Sequence, residues 1–213
     1  MIKFRSSLAS FRVVSLFALT IAIAASAVFA VLPGGGAAAA GEPPASLQSE
    51  NEAAAKAAFL AVYPVFMHPR CMNCHPREDA PLQGDDLRPH AQNIQRGSDG
   101  KGKFALKCTN CHQLTNLPGE NMPPGVPNWH MPPANMKMVF EGKSAGELCR
   151  QFKDPKQNGG HSNAAGAVHH LEIDPLVHWG WAPGDGRSTP PLSYADFVRK
   201  MQEWVQNGAA CPE

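Results

Sequence analysis

The chain has 213 residues, a formal net charge of +1, 19 Gly, 20 Pro and an aromatic share of 8%. Charge this balanced, with no stripe of Lys and Arg, excludes a nucleic-acid footprint. The abundance of turn formers and the lack of Val/Ile/Thr runs exclude a sheet-built fold, and a core made from these side chains alone would be thin.

Residues 1–12 carry Lys3, Arg5 and Arg12 and no acidic group, and residues 13–32 are apolar or small throughout. This pattern is an export signal, read as residues 1–30 with small residues around a cut at Val28-Phe29-Ala30 and a second site at Ala38-Ala39-Ala40. Retained, the run to Leu32 would instead anchor the chain in a membrane. Either outcome places the remainder in the periplasm, where disulfides form. Without the three leader charges, 16 basic groups face 18 acidic ones, a net of −2.

Residues 31–50, rich in Gly, Ala and Pro, read as a low-complexity linker, and residues 51–213 as the folded domain. From Asn51 the alanine-rich stretch predicts a helix with Phe59, Leu60, Tyr63 and Phe66 on one apolar side, ended or kinked by Pro64. It delivers the chain to Cys71-Met72-Asn73-Cys74-His75, a pattern repeated at Cys108-Thr109-Asn110-Cys111-His112.

Cys-x-x-Cys-His is the attachment pattern of c-type haem. The two thiols reach the two vinyl groups of one porphyrin, and the adjacent His meets the iron from one face. Zinc ribbons set their knuckles about 15–20 residues apart, closer than Cys74 and Cys108. Redox Cys-x-x-Cys pairs accompany a βαβ pattern that is absent here, and neither alternative uses the trailing His. The implied cofactors are two covalently bound haem c groups, attached at Cys71, Cys74, Cys108 and Cys111 with His75 and His112 as proximal ligands. Each haem is a large apolar plate, so the expected fold is a mainly α, loop-rich, cytochrome c-like domain with short helices packed around two covalent haems.

Gly97, Gly100 and Gly102 mark a turn-rich connection ahead of the second motif. Residues 116–136 beyond it hold six prolines and three methionines, a segment suited to wrapping a haem edge. The sixth iron ligands are read as His90 and His130, since each follows one motif in the chain. Met131, Met136 and His170 are alternatives, and Met131-Pro132-Pro133 and Met122-Pro123-Pro124 both resemble the Met-Pro segment that supplies a distal sulfur in small cytochromes c. His68 lies too close before Cys71 to reach the far haem face without a sharp reversal; His161, His169, His178 and Met138 complete the candidates. Closed sites with six ligands suit electron transfer, whereas an open position admits oxygen chemistry. Arg70, Arg77, Arg88 and Arg96 read equally as propionate partners or as solvated surface, and Trp129, Trp179, Trp181 and Trp204 as pocket and core residues.

Toward the C-terminus, Ser144 and Glu147 form a capping box opening a helix with Leu148, Cys149 and Phe152. Residues 164–172 predict a short helix presenting His169 and His170, and residues 174–184 an aromatic, turn-like segment. Ser193 and Asp196 cap a last helix that buries Phe197, Met201, Trp204 and Val205. Cys149 and Cys211, left after the motifs take four thiols, predict a disulfide contributing about 4 kcal/mol in the chain-entropy model.

The blocks FMHPRCMNCHP with PLQGDD, RGSDGKGKF followed by CTNCH, ELCRQFKDPKQNGG, DPLVHWGWAPGDGR and the closing GAACP resemble a group of small exported dihaem proteins labelled as an isoquinoline oxidoreductase subunit. The resemblance covers roughly residues 55–213. It implies a c-type cytochrome working beside a molybdenum hydroxylase or a related periplasmic dehydrogenase; the chain itself has no four-Cys ferredoxin spacing. The expectation is a periplasmic dihaem c-type cytochrome, not itself an enzyme, that passes single electrons between a dehydrogenase and a respiratory acceptor. It would touch a membrane only through a retained leader. Its rivals are a small dihaem peroxidase with one open iron and a haem-based sensor.

Overall fold

The structure is a computed structural model that describes residues 44–213. The expected export signal or anchor and most of the expected linker lie outside the described residues. Among the described residues, no helix is long and apolar enough to cross a membrane.

The described residues are mainly helical. They form α1 (Ala45–Phe66), α2 (Pro69–Met72), α3 (Ala145–Lys153), α4 (Ala164–Ile173), α5 (Pro175–Trp179) and α6 (Tyr194–Gln206). A single hairpin pairs β1 (Leu82–Gln83) with β2 (Arg88–Pro89), antiparallel, and three 3₁₀ turns lie in the long loops.

Helix α1 begins at Ala45, earlier than the expected Asn51, so the end of the predicted linker is helical. Nothing between Pro44 and Pro64 breaks it, because the stretch is alanine-rich and free of Gly. It runs past Pro64 to Phe66; so near the end, the missing N–H removes only one helical hydrogen bond. Ala55, Ala58, Phe59, Val62, Val65 and Phe66 form its buried stripe. Leu60, expected on that side, is 50% exposed, because it stands about 100° around the helix from Phe59. Tyr63 lies at the margin and donates its hydroxyl to the Lys143 carbonyl at 2.7 Å.

The stripe packs on α6. The rings of Phe59 and Trp204 are 5.1 Å apart and those of Phe66 and Phe197 5.4 Å, so the two helices run antiparallel. Helix α3 contributes Leu148 and Phe152, the latter 4.9 Å from Phe66, and α4 contributes Ala167, Val168 and Leu171. Each large side chain buried here is worth about 1.5–3 kcal/mol, which makes this aromatic cluster the main protein-only source of stability.

The caps follow the local sequence. The Ser144 hydroxyl accepts the Glu147 N–H at 3.2 Å while the Glu147 carboxylate accepts the Ser144 N–H at 2.8 Å. Ser193 accepts the Asp196 N–H at 3.1 Å. Residues 175–179, expected as a turn, are helical because Asp174 accepts the Leu176 N–H at 2.7 Å and Pro175 follows it at the first helical position. Cys149 and Cys211 form the expected disulfide, Cα atoms 5.5 Å apart, tying α3 to the chain end.

Candidate functional site

Each Cys-x-x-Cys-His motif is held by a single tight turn. His68 caps α2, its Nδ1 accepting the Arg70 N–H at 3.3 Å, and Pro69 follows at the first helical position. The N–H groups of Cys74 and His75 bond back to Cys71 and Met72, each at 3.2 Å. The second motif winds into a 3₁₀ turn, Cys108–Asn110, closed by the His112 N–H on the Cys108 carbonyl at 2.9 Å. Gly100 makes the approach to that turn: its φ is +78°, its carbonyl accepts the Met131 N–H at 2.9 Å, and a Cβ there would collide with the Met131 carbonyl.

These turns aim both thiols and the His of each motif into one cavity. Cys71, Cys74 and His75 line a cavity of about 250 Å³, walled by Phe66, Phe140, Phe152 and Phe197 at the edge of the aromatic core. Cys108, Cys111 and His112 line a second of about 390 Å³, walled by Trp129, Trp179 and the hairpin. Arg70 lines both, so the two cavities share a wall. The motifs, 37 positions apart by the numbering of Cys71 and Cys108, are therefore neighbours in space.

The imidazoles are oriented as metal ligands are. A backbone carbonyl accepts from Nδ1 in each, Met138 for His75 and Pro124 for His112, both at 2.7 Å, so Nε2 is the free nitrogen. The His75 ring stacks on Phe140 at 3.9 Å and the His112 ring on Trp129 at 4.3 Å. Burial holds both imidazoles down to about 4, which leaves them neutral at physiological pH. Burial also pushes the Cys71 thiol up to about 12 and Cys74 to about 11, with Cys108 adding to the latter. In the haem-free chain these thiols stay protonated.

The remaining candidates divide between the cavities. His90 lies beside His112 in the second, ring centroids 6.2 Å apart, with Met131 in the same lining. His130, His161, His170 and Met138 line the first. His161 and His170 lie 4.9 Å apart, and His170 Nδ1 faces the Asp174 carboxylate at 3.5 Å. Met136 sits in the turn Ala134–Met136 and is not part of either lining. His68 is spent on its cap and on Ser188, 3.2 Å from its Nε2, and His178 on Tyr194 and the Glu172 carbonyl. The order along the chain is thus crossed in space: the histidine after the first motif reaches the second cavity, and the one after the second motif reaches the first.

The arginines separate as well. Arg96 is 1% exposed and donates to the carbonyls of Pro132, Pro76 and Glu78, at 2.7, 3.5 and 3.2 Å, with Asp79 beside it. It clamps the segment after His75 to the proline-rich wrap. Arg88 pairs with Asp86 at the surface. Arg70 is 5% exposed, forms a close ion pair with Asp85, and leaves its buried Nε without a partner. No signal in the sequence marks Arg96 or Arg70 as buried, because each is paired through residues distant in the chain.

The residues fit haem. Each cavity gathers two thiols and one neutral, oriented imidazole, and the wall between them holds a buried arginine with an unmet donor suited to a propionate. Among the described residues, no group of three His, Cys, Asp or Glu side chains gathers as a self-sufficient metal site. A porphyrin supplies four nitrogens and asks the protein for one or two ligands. No family model matches the chain, and neither the curated proteins nor the solved structures contain a match to it.

Proposed function

We propose that this chain is an exported c-type cytochrome with two covalent haems, passing single electrons between a periplasmic dehydrogenase and a respiratory acceptor. The observation that carries the reading is the paired cavity: two complete Cys-x-x-Cys-His sets, each facing its own space, in contact through Arg70. Haem, when bound, supplies one-electron iron chemistry. The chain's residues orient the iron ligands, line the first site with a wall of phenylalanines, and hold the two sites side by side. Phe104 and Leu114, 91% and 72% exposed, flank the second motif, and Cys111 is itself exposed. Exposed apolar side chains on either side of the second motif suit brief docking of a redox partner. The molybdenum hydroxylase type of dehydrogenase enters only through the family resemblance.

A second reading has one observation in its favour. The first cavity holds three histidines besides His75, where a closed iron needs one. A spare histidine could serve as the distal base of a haem enzyme with an open iron.

Mass spectrometry of the exported protein tests the first reading. The expected result is the processed chain plus two haem masses, and an unmodified chain made with cytochrome maturation intact would overturn it. Carbon monoxide added to the reduced protein separates the two readings: slow or no binding supports the carrier, and rapid binding to a high-spin haem supports the enzyme.

A further inference from the structure

We infer that His90 is the sixth ligand of the iron held by His112, so that the second haem takes its distal histidine from the segment following the first motif. The inference rests on the dihaem reading above and concerns only this chain's residues.

Three observations carry it. The two rings share the second cavity with centroids 6.2 Å apart. Two metal–imidazole bonds of about 2 Å each, with about 1 Å from nitrogen to ring centre on either side, span about 6 Å. The 62° angle between the ring planes is compatible with that span, since rotation about the nitrogen–metal axis leaves the distance unchanged. In addition, each ring has only one nitrogen to offer. His112 Nδ1 is held by the Pro124 carbonyl at 2.7 Å, and His90 Nδ1 by the Ala91 carbonyl at 2.8 Å. A carbonyl on Nδ1 fixes the tautomer and makes Nε2 the ligating atom.

His90 is also placed by structure that has no other evident task. It follows β2 directly, its N–H bonds to the Pro81 carbonyl at 2.9 Å, and the next residue's N–H bonds to Gln83 Oε1 at 2.8 Å. The hairpin thus acts as a bracket that carries one histidine from the first motif's side of the molecule to the second cavity. The candidates left beside His75 in the first cavity are His130, His161, His170 and Met138. Met131, 4% exposed and in the lining of the second cavity, is the rival ligand.

The test uses the natural holoprotein and one variant. In the reduced, diamagnetic protein, the ring protons of His90 should be shifted strongly upfield by the haem ring current. They should also show NOEs to the thioether protons of Cys108 or Cys111. Unshifted His90 ring protons overturn the inference, as do NOEs to Cys71 or Cys74. In His90→Met, the low-spin electron paramagnetic resonance signal of the haem held by His112 should give way from a bis-histidine to a His–Met signal, while Met131→Leu leaves it unchanged. Loss of a low-spin signal in Met131→Leu alone would assign the site to Met131 and overturn the inference. A mature protein without two haem masses refutes the dihaem reading itself, whereas two haems with an unligated His90 refute only this assignment.

Discussion

His112 lies flat against Trp129, with the ring planes 3° from parallel and the centroids 4.3 Å apart. Trp129 in turn meets Trp179 edge to face at 4.8 Å, and Trp179 donates its indole N–H to Asn116 at 2.9 Å. The His112 ring, the proposed proximal ligand of the second site, is therefore braced on a stack anchored to α5. Trp129→Leu should cost about 1 kcal/mol of stability. It should also let the His112 ring turn, changing the g-values of one haem and leaving the other unaltered. Trp129→Phe, which keeps a stacking face, should restore most of both.

Arg96 ties the segment after His75 to the proline-rich wrap by bonding to three carbonyls. Arg96→Met keeps the apolar stem and strands the Pro76, Glu78 and Pro132 oxygens, while Asp79 retains Lys137 at 2.9 Å. The expected loss is about 3 kcal/mol, read from urea unfolding, because stranded buried acceptors cost more than a made hydrogen bond returns. Since Pro76 follows His75 directly, only the first haem's spectrum should broaden.

The disulfide closes a loop of 62 residues between α3 and the chain end. Replacing Cys149 and Cys211 together by Ser should lower the unfolding free energy by about 4 kcal/mol. The haem spectra should be unchanged, since neither cysteine lines a cavity. Reductant should lower the stability of the natural protein toward that of the variant.

Acid should weaken the haem-free chain by a route closed to the loaded one. His75 and His112 titrate near 4 when folded against an ordinary value of 6.5, because burial disfavours the cation. Between those values the unfolded chain binds more protons, so unfolding free energy rises with pH across the window and is lost as pH falls through it. Below about 4 the contribution is gone. Once iron occupies Nε2, neither ring can take up that proton, so the same pH series on the holoprotein should lack this slope. Equal slopes in the two forms would refute the assignment of the linkage to these rings.

Much of the helical frame was legible because its signals are local. Ser144 with Glu147, and Ser193 with Asp196, mark helix starts within one turn, and the periodicity of α6 marks its buried face. What is not legible locally is non-local or a matter of phase. The side of α1 that carries Leu60 is one of these, because several registers of an alanine-rich helix look alike until a partner helix selects one. The short helix α5 is another, because five residues show no period.

By itself, the sequence determined the chemistry available: two Cys-x-x-Cys-His sets, two leftover cysteines that can pair, and a surplus of histidines and methionines. These depend on residue type and spacing, which the chain carries directly. Only the tertiary structure decided which of those groups meet. His90 follows the first motif in the chain yet stands 6.2 Å from His112, and His130 follows the second yet lines the cavity of His75. A ligand must be near the metal in space, and the hairpin and the proline-rich wrap carry the chain across before either histidine arrives. The same folding back turned Arg70 from one charge among many into the wall shared by both cavities.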